Sequence, residues 1–247
     1  MEAGMDTIGI IQRKHTDNIF FRLIAIASIA AIFAGFARTY FLKAWTGAAA
    51  QPALVHIHAI LFTTWILLFL VQTTLVANDR IDLHRKLGVF AALLAVAMVV
   101  EGYVAAVGSV RRGFIGVFPN EPTGFVDPIA FFSLAMGDIL TFSALVTAGF
   151  LLRRRAGAHK RLMVLATISL LPAALSRIPL GAARLPVALT CFLCLLLAGP
   201  IYDRKTYGRI HPVFLWGTVF TFISTGVRPL IGNSAVWHTF VRWLIRT

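Results

Sequence analysis

PALVHIHAILFTTWILLFLVQTTLVANDRIDLHRKLGVFAALLAVAMVVEGY, residues 52–103, is two long apolar runs with one short charged phrase between them. Each run exceeds the roughly 20 residues with which a helix crosses a hydrocarbon core of about 30 Å. The phrase NDRIDLHRK folds the second run back beside the first. Similar runs recur at about 20–42, 53–77, 86–110, 128–152, 161–179, 186–202 and 212–231. Lipid offers no partner to a free backbone N–H or C=O, and alternating strand patterns are absent, so the runs are read as helices. The expected fold is all-α, a polytopic membrane protein whose seven transmembrane helices form a single bundle over residues 1–247.

Composition agrees, with 58% hydrophobic and 13% charged residues, against about a quarter charged in soluble domains. The net charge of +13 does not make a nucleic-acid surface, because the 23 Lys and Arg sit at helix ends. Fourteen fall on one side: Arg13, Lys14, Arg22, Arg80, Arg85, Lys86, Arg153, Arg154, Arg155, Lys160, Arg161, Arg204, Lys205 and Arg209. The positive-inside rule puts that side, with the N-terminus, in the cytoplasm and the C-terminus outside. The expected partners are the bilayer and its anionic head groups, not nucleic acid. The first run, without a small-residue cleavage site, reads as a retained helix rather than a signal peptide. Cys191 and Cys194 form a CxxC deep in an apolar run, where packing is the expected role. The end of the chain, NSAVWHTFVRWLIRT, is patterned as a short helix on the membrane surface.

The hairpin repeats. Placing His84 on His159 aligns Arg85, Lys86 and Leu87 with Lys160, Arg161 and Leu162, and the prolines that begin the preceding helices, Pro52 and Pro128, lie 32 and 31 residues upstream. A looser third copy runs from Pro186 to His211. The expected architecture is one helix plus three hairpins, each a proline-initiated helix, a basic loop and a histidine-initiated return. Seventeen residues after the three histidines stand Glu101, Ser176 and Arg228, with Arg177 one place beyond Ser176. At 1.5 Å per residue that is a climb of about 25 Å, to the opposite face.

Two clusters follow. The outer one gathers Glu101, Arg177 and Arg228 with His58 of the second helix and Asp138 of the fourth, on whose face Thr141 also lies. His56 is about 200° from His58 round the helix, so only one of them faces a common cavity, and His58 shares a stripe with Trp65 and Gln72. Ionisable residues within such spans face the bundle interior or a wet cavity. The cluster is then either an ion pair of Glu101 with Arg177 or Arg228 that fixes helix register, or a pocket for a small polar or anionic ligand, or a proton path through Asp138. The inner cluster is His84, His159 and His211, which could hold a metal or a haem iron. The basic neighbours Arg85, Lys86, Lys160, Arg161 and Arg209 suit an anion better than a bare metal, so no metal is assigned.

The motifs HxH (His56–His58), LHRxLG (Leu83–Gly88), HKR (His159–Arg161) and YDxxxxGRxHP (Tyr202–Pro212) resemble those of uncharacterised bacterial seven-helix membrane proteins. Histidines at both ends of alternating helices also resemble the layout of cytochrome b561-type membrane proteins. That resemblance implies b-type haem, membrane electron transfer and a bacterial inner membrane. The departure is that b561-type ligands lie within the bundle, whereas His84, His159 and His211 begin helices. Seven-helix hydrolases with three-histidine zinc carry an HxxxH that is missing here. No GxSxG, HExxH, Walker loop or dinucleotide fingerprint is present. The leading expectation is haem between His84 and His159 or His211. The alternatives are a membrane enzyme or small-solute transporter using the outer pocket, and an accessory subunit in which both clusters only fix topology.

Overall fold

The computed structural model describes residues 2–46, 51–113 and 127–246, with side chains from residue 15 onward apart from 43 and 46. Arg13 and Lys14, counted above on the basic side, lie outside the described side chains. Every described element is helical: α1 (Glu2–Phe36, continued by a π turn, Ala37–Phe41), α2 (Lys43–Thr46), α3 (Ala53–Ala77), α4 (Ile81–Arg111), α5 (Pro128–Leu151), α6 (Ala156–Ser169), α7 (Leu171–Leu175), α8 (Arg184–Tyr207, entered through a 3-10 turn, Gly181–Ala183), α9 (Pro212–Gly232) and α10 (Ala235–Arg246). Among the described residues seven spans are long and apolar enough to cross a membrane, α6 and α7 together making one of them. The fold is the expected all-α polytopic bundle.

The helices begin and end where local chemistry directs. Asp127 caps α5 by accepting from the Ala130 N–H at 2.8 Å, and Pro128 takes the first position, where a missing N–H does no harm. Gly208, at φ 72°, closes α8 in the left-handed conformation that favours glycine. The histidines differ from expectation. His84 and His159 stand fourth in their helices, while His211 is the true cap of α9, its Nδ1 accepting from the Val213 N–H at 3.1 Å.

The span expected at 161–179 is broken. Pro172 can donate no hydrogen bond to the turn before it, so α6 stops at Ser169 and a short α7 ends at Leu175. A second internal proline, Pro200 of α8, leaves the Leu196 carbonyl without its usual donor. Thr218 Oγ1 of α9 reaches that oxygen at 3.5 Å, the substitution that lipid requires.

The bundle is a ring around a post. Helices α1, α3, α4, α5, α9 and α8 each touch the next, α8 touches α1 again, and α6–α7 stands in the middle. In its most apolar stretch 67% of the residues of α6–α7 are buried inside the protein, against 17–39% for the other spans. That position explains its low mean hydropathy of 1.2, because Thr167 and Ser169 never meet lipid. Trp65 of α3 donates to Thr167 at 3.3 Å across this core. A Cβ on Gly35 would come within 2.1 Å of the Ala174 carbonyl oxygen, so α1 and α7 meet backbone to backbone, as small residues permit in membranes. Outward, Leu23, Leu93, Val96 and Phe222 are exposed, which suits a lipid-facing surface. Cys194 is exposed and Cys191 packs partly against the core. Helix α10 folds against α5 and α9: Val241 is fully buried, Trp237 donates to the Ile129 carbonyl at 2.8 Å, and Val236 and Trp243 point outward.

Candidate functional site

At the basic end the polar groups close on themselves. Asp17 of α1 accepts from Tyr202 (2.5 Å), Tyr207 (2.7 Å) and Lys160. Arg161 grips Asp203 through Nε (2.9 Å) and Nη2 (2.5 Å), and its Nη1 donates to the Gly157 carbonyl at 2.8 Å. Both partners are buried, Asp203 completely. The guanidinium also lies over the rings of Tyr207 and Phe214, at 5.5 and 5.4 Å. The His211 N–H donates to Asp203 at 2.9 Å. This corrects the expectation that Lys160 and Arg161 wait for an anion, since each already has a carboxylate inside the fold. Asp17 and Tyr207 were not singled out from the sequence, and Tyr202 only as the first residue of a motif: Asp17 lies in α1 ahead of its apolar run, outside the repeat.

The histidines divide. His211 is turned to its own helix. The rings of His84 and His159 meet edge to face with centroids 6.3 Å apart. His159 Nδ1 lies 2.8 Å from the Gly149 carbonyl, so it is the protonated nitrogen and Nε2 is left with its lone pair. His84 Nδ1 is buried with no hydrogen-bond partner. Among the described residues no three His, Cys, Asp or Glu come together as a metal site. The three-imidazole set is therefore not assembled: His84 and His159 meet each other, and His211 stands apart as a helix cap.

At the opposite end the five expected residues form two groups. His56 turns to Tyr40 of α1, with Nδ1 3.0 Å from the hydroxyl, and His58 turns to Glu101 of α4, with Nδ1 2.8 Å from Oε2. The helical geometry had required this divergence. Glu101 is 7% exposed, and its other oxygen, Oε1, is buried without a hydrogen-bond partner. The second group lies across α5. Arg228 of α9 donates to Asp138 (2.5 Å) and Thr141 (3.2 Å), and Thr141 shares a hydrogen bond with Ser224 at 2.5 Å. The guanidinium reaches Asp138 by lying across Gly137, where a Cβ would stand 2.3 Å from Nε.

The expected pairing of Glu101 with Arg177 or Arg228 is thus overturned. Helix α5 separates α4 from α9 in the ring, so Glu101 meets α3 while Arg228 meets α5. Arg177 follows α7, where the backbone leaves the helix. It donates to the Ala173 carbonyl, lies 5.1 Å above the Phe36 ring, and feels Asp138 through space. Arg184, which donates to the Ser176 carbonyl at 3.0 Å, is its like-charged neighbour. Burial first lowers the Arg177 pKa to about 10, with Asp138 opposing the shift and Arg184 adding to it.

Burial, then Arg161, hold the His211 imidazole below its ordinary value, with Asp203 opposing. The unfolded chain therefore takes up a proton near pH 6.5 that the folded chain still refuses, and stability falls as pH drops through about 6.5. The cap needs the neutral ring, because a protonated Nδ1 cannot accept from Val213. His211→Asn keeps a capping group and removes the titration. Between pH 7.5 and 5.5, melting in detergent is expected to lose less Tm in the variant than in the wild type; equal losses would exclude His211 as the cause.

No protein-family model, no curated protein and no solved structure matches the chain, so the functional reading rests on these residues.

Proposed function

We propose that the chain is a multi-pass transporter of a bacterial inner (plasma) membrane, N-terminus in the cytoplasm and C-terminus outside, that takes a small anionic solute at the Asp138 end. The observation that carries this reading is an imbalance of charge. Arg228 is answered by Asp138, but Arg177, which feels the same carboxylate through space, gives its hydrogen bond to the Ala173 backbone carbonyl. Arginine is the side chain whose fork suits carboxylate and phosphate, and surplus guanidinium charge away from bulk water favours an anionic guest. Arg177 stands where the central span gives out and residues 176–180 leave the α-helix. At the other end Arg85, Lys86, Arg153 and Arg154 are exposed, which supports a cytoplasmic face held against anionic head groups.

The test is the melting temperature of detergent-purified protein with acetate, succinate or phosphate. A ligand at about 100 times its Kd stabilises the fold by about 2.7 kcal/mol. At least one anion is expected to raise Tm, and Arg177→Gln is expected to abolish the rise. No shift with any of them, or an unchanged shift in the variant, would refute the reading.

A second reading is favoured by one specific observation, the orphaned Nδ1 of His84 with the His159 ring 6.3 Å away. These two imidazoles would hold a b-type haem, which supplies one-electron transfer. The Gly149 carbonyl would fix the His159 ring in its ligating tautomer. Protein expressed with ample haem is then expected to show a Soret band that His159→Ala removes, and a colourless wild type rules the haem out.

A further inference from the structure

We propose that the solute is a zwitterion, a small amino acid whose carboxylate is taken by Arg177 and whose ammonium is taken by Asp138. The proposal rests on the anion-binding reading above and names the class of its solute. Its starting point is the difference between two arginine–carboxylate pairs of the fold. Arg161 grips Asp203 with two nitrogens, Nε reaching both carboxylate oxygens and Nη2 one of them, and Asp203 is fully enclosed. Arg228 gives Asp138 a single bond, Nη1 to Oδ1, and sends Nη2 to Thr141 instead. Oδ2 lies outside that contact, and the Asp138 side chain is 19% exposed. A carboxylate kept only to neutralise an arginine gains most from the two-pronged grip. The one-pronged grip leaves Asp138 an oxygen for a further donor.

Arg177 has the complementary gap. Among the described residues it donates one hydrogen bond, from Nη1 to the Ala173 carbonyl, which leaves Nε and Nη2 for a guest carboxylate. The Phe36 ring, 5.1 Å from the guanidinium, backs its flat face. Asp138 acts on this arginine through space, as does Arg184 with the opposite sign. A plain anion drawn to Arg177 is therefore opposed by Asp138, and a cationic group attached to that anion turns the opposition into attraction. Arg184 repels the cationic group, so the two neighbours of Arg177 orient the guest with its ammonium on the Asp138 side. A zwitterion also brings no net charge into the bundle, where an unpaired charge is costly to bury.

The experiment follows the Tm of full-length, detergent-purified protein at about pH 7.5, where side-chain and guest carboxylates are ionised, and at constant ionic strength, titrated with glycine, acetate or methylammonium. Glycine carries both charges, and the other two carry one each. Arg177→Gln, titrated alongside, subtracts the general effect of each solute on Tm. Glycine is expected to reach half of its maximal rise at about one-tenth the concentration of acetate, and methylammonium to give no rise. Asp138→Asn is expected to bring glycine to the acetate value. Because that change strands Arg228, Asp138→Asn with Arg228→Gln removes both charges of the pair and is expected to do the same. Acetate acting at the same concentration as glycine, or a lower one, overturns the zwitterion and leaves the anion site standing. A glycine preference that survives in either folded variant overturns it too, as does a methylammonium rise that matches that of glycine. If neither acetate nor glycine raises Tm, the anion site falls and the zwitterion falls with it.

Discussion

A charge buried among apolar helices must find its counter-charge inside the bundle, and the pair Arg161–Asp203 shows how far the fold goes to meet that demand. Arg161 belongs to the central α6 and Asp203 to α8, and the carboxylate also binds the first N–H of the turn into α9 through His211. One ion pair thus ties three helices, while Asp17 ties α1 to α6 and α8 beside it. In such a place the cost of losing one partner is large, because the remaining charge has no water to turn to. The ring of helices round α6 depends on this closed end as much as on the apolar core of Leu165, Ile168 and Phe214.

The opposite end obeys the same rule less completely. Asp138 and Arg228 pair with each other, and His58 meets one oxygen of Glu101, but Arg177 hydrogen-bonds to a backbone carbonyl rather than to a carboxylate. The contrast makes chemical sense if one end holds the bundle together and the other end works. A site that must bind and release an anion has to leave some positive charge unanswered.

Much of this was legible in the sequence, for reasons that also explain the rest. The seven spans were legible because length and apolarity are properties of a contiguous segment, and the separation of His56 from His58 because 100° per residue leaves no alternative. Counting along the helices also brought Glu101, Arg177 and Arg228 to one end. Partners were not legible. Which residue Glu101 meets depends on α4 lying between α3 and α5 in the ring, and no spacing within α4 encodes that. Lys160 and Arg161 looked available for an anion because their partners, Asp17 and Asp203, come from distant segments. The break after Ser169 was hidden because Pro172 lies inside an apolar run that is continuous as composition but not as a helix.

The central claim is that charge is closed at the basic end and open at the Asp138 end. The direct measurement is the unfolding stability of Arg161→Gln and Arg177→Gln, compared in one detergent at one pH and without added anions. The account predicts that Arg161→Gln loses about 3–5 kcal/mol, because Asp203 is left buried and unpaired. It predicts that Arg177→Gln is as stable as the wild type or more so, because an unanswered charge has been removed. Equal, large losses in both variants would contradict it, showing that Arg177 is as fully paired as Arg161.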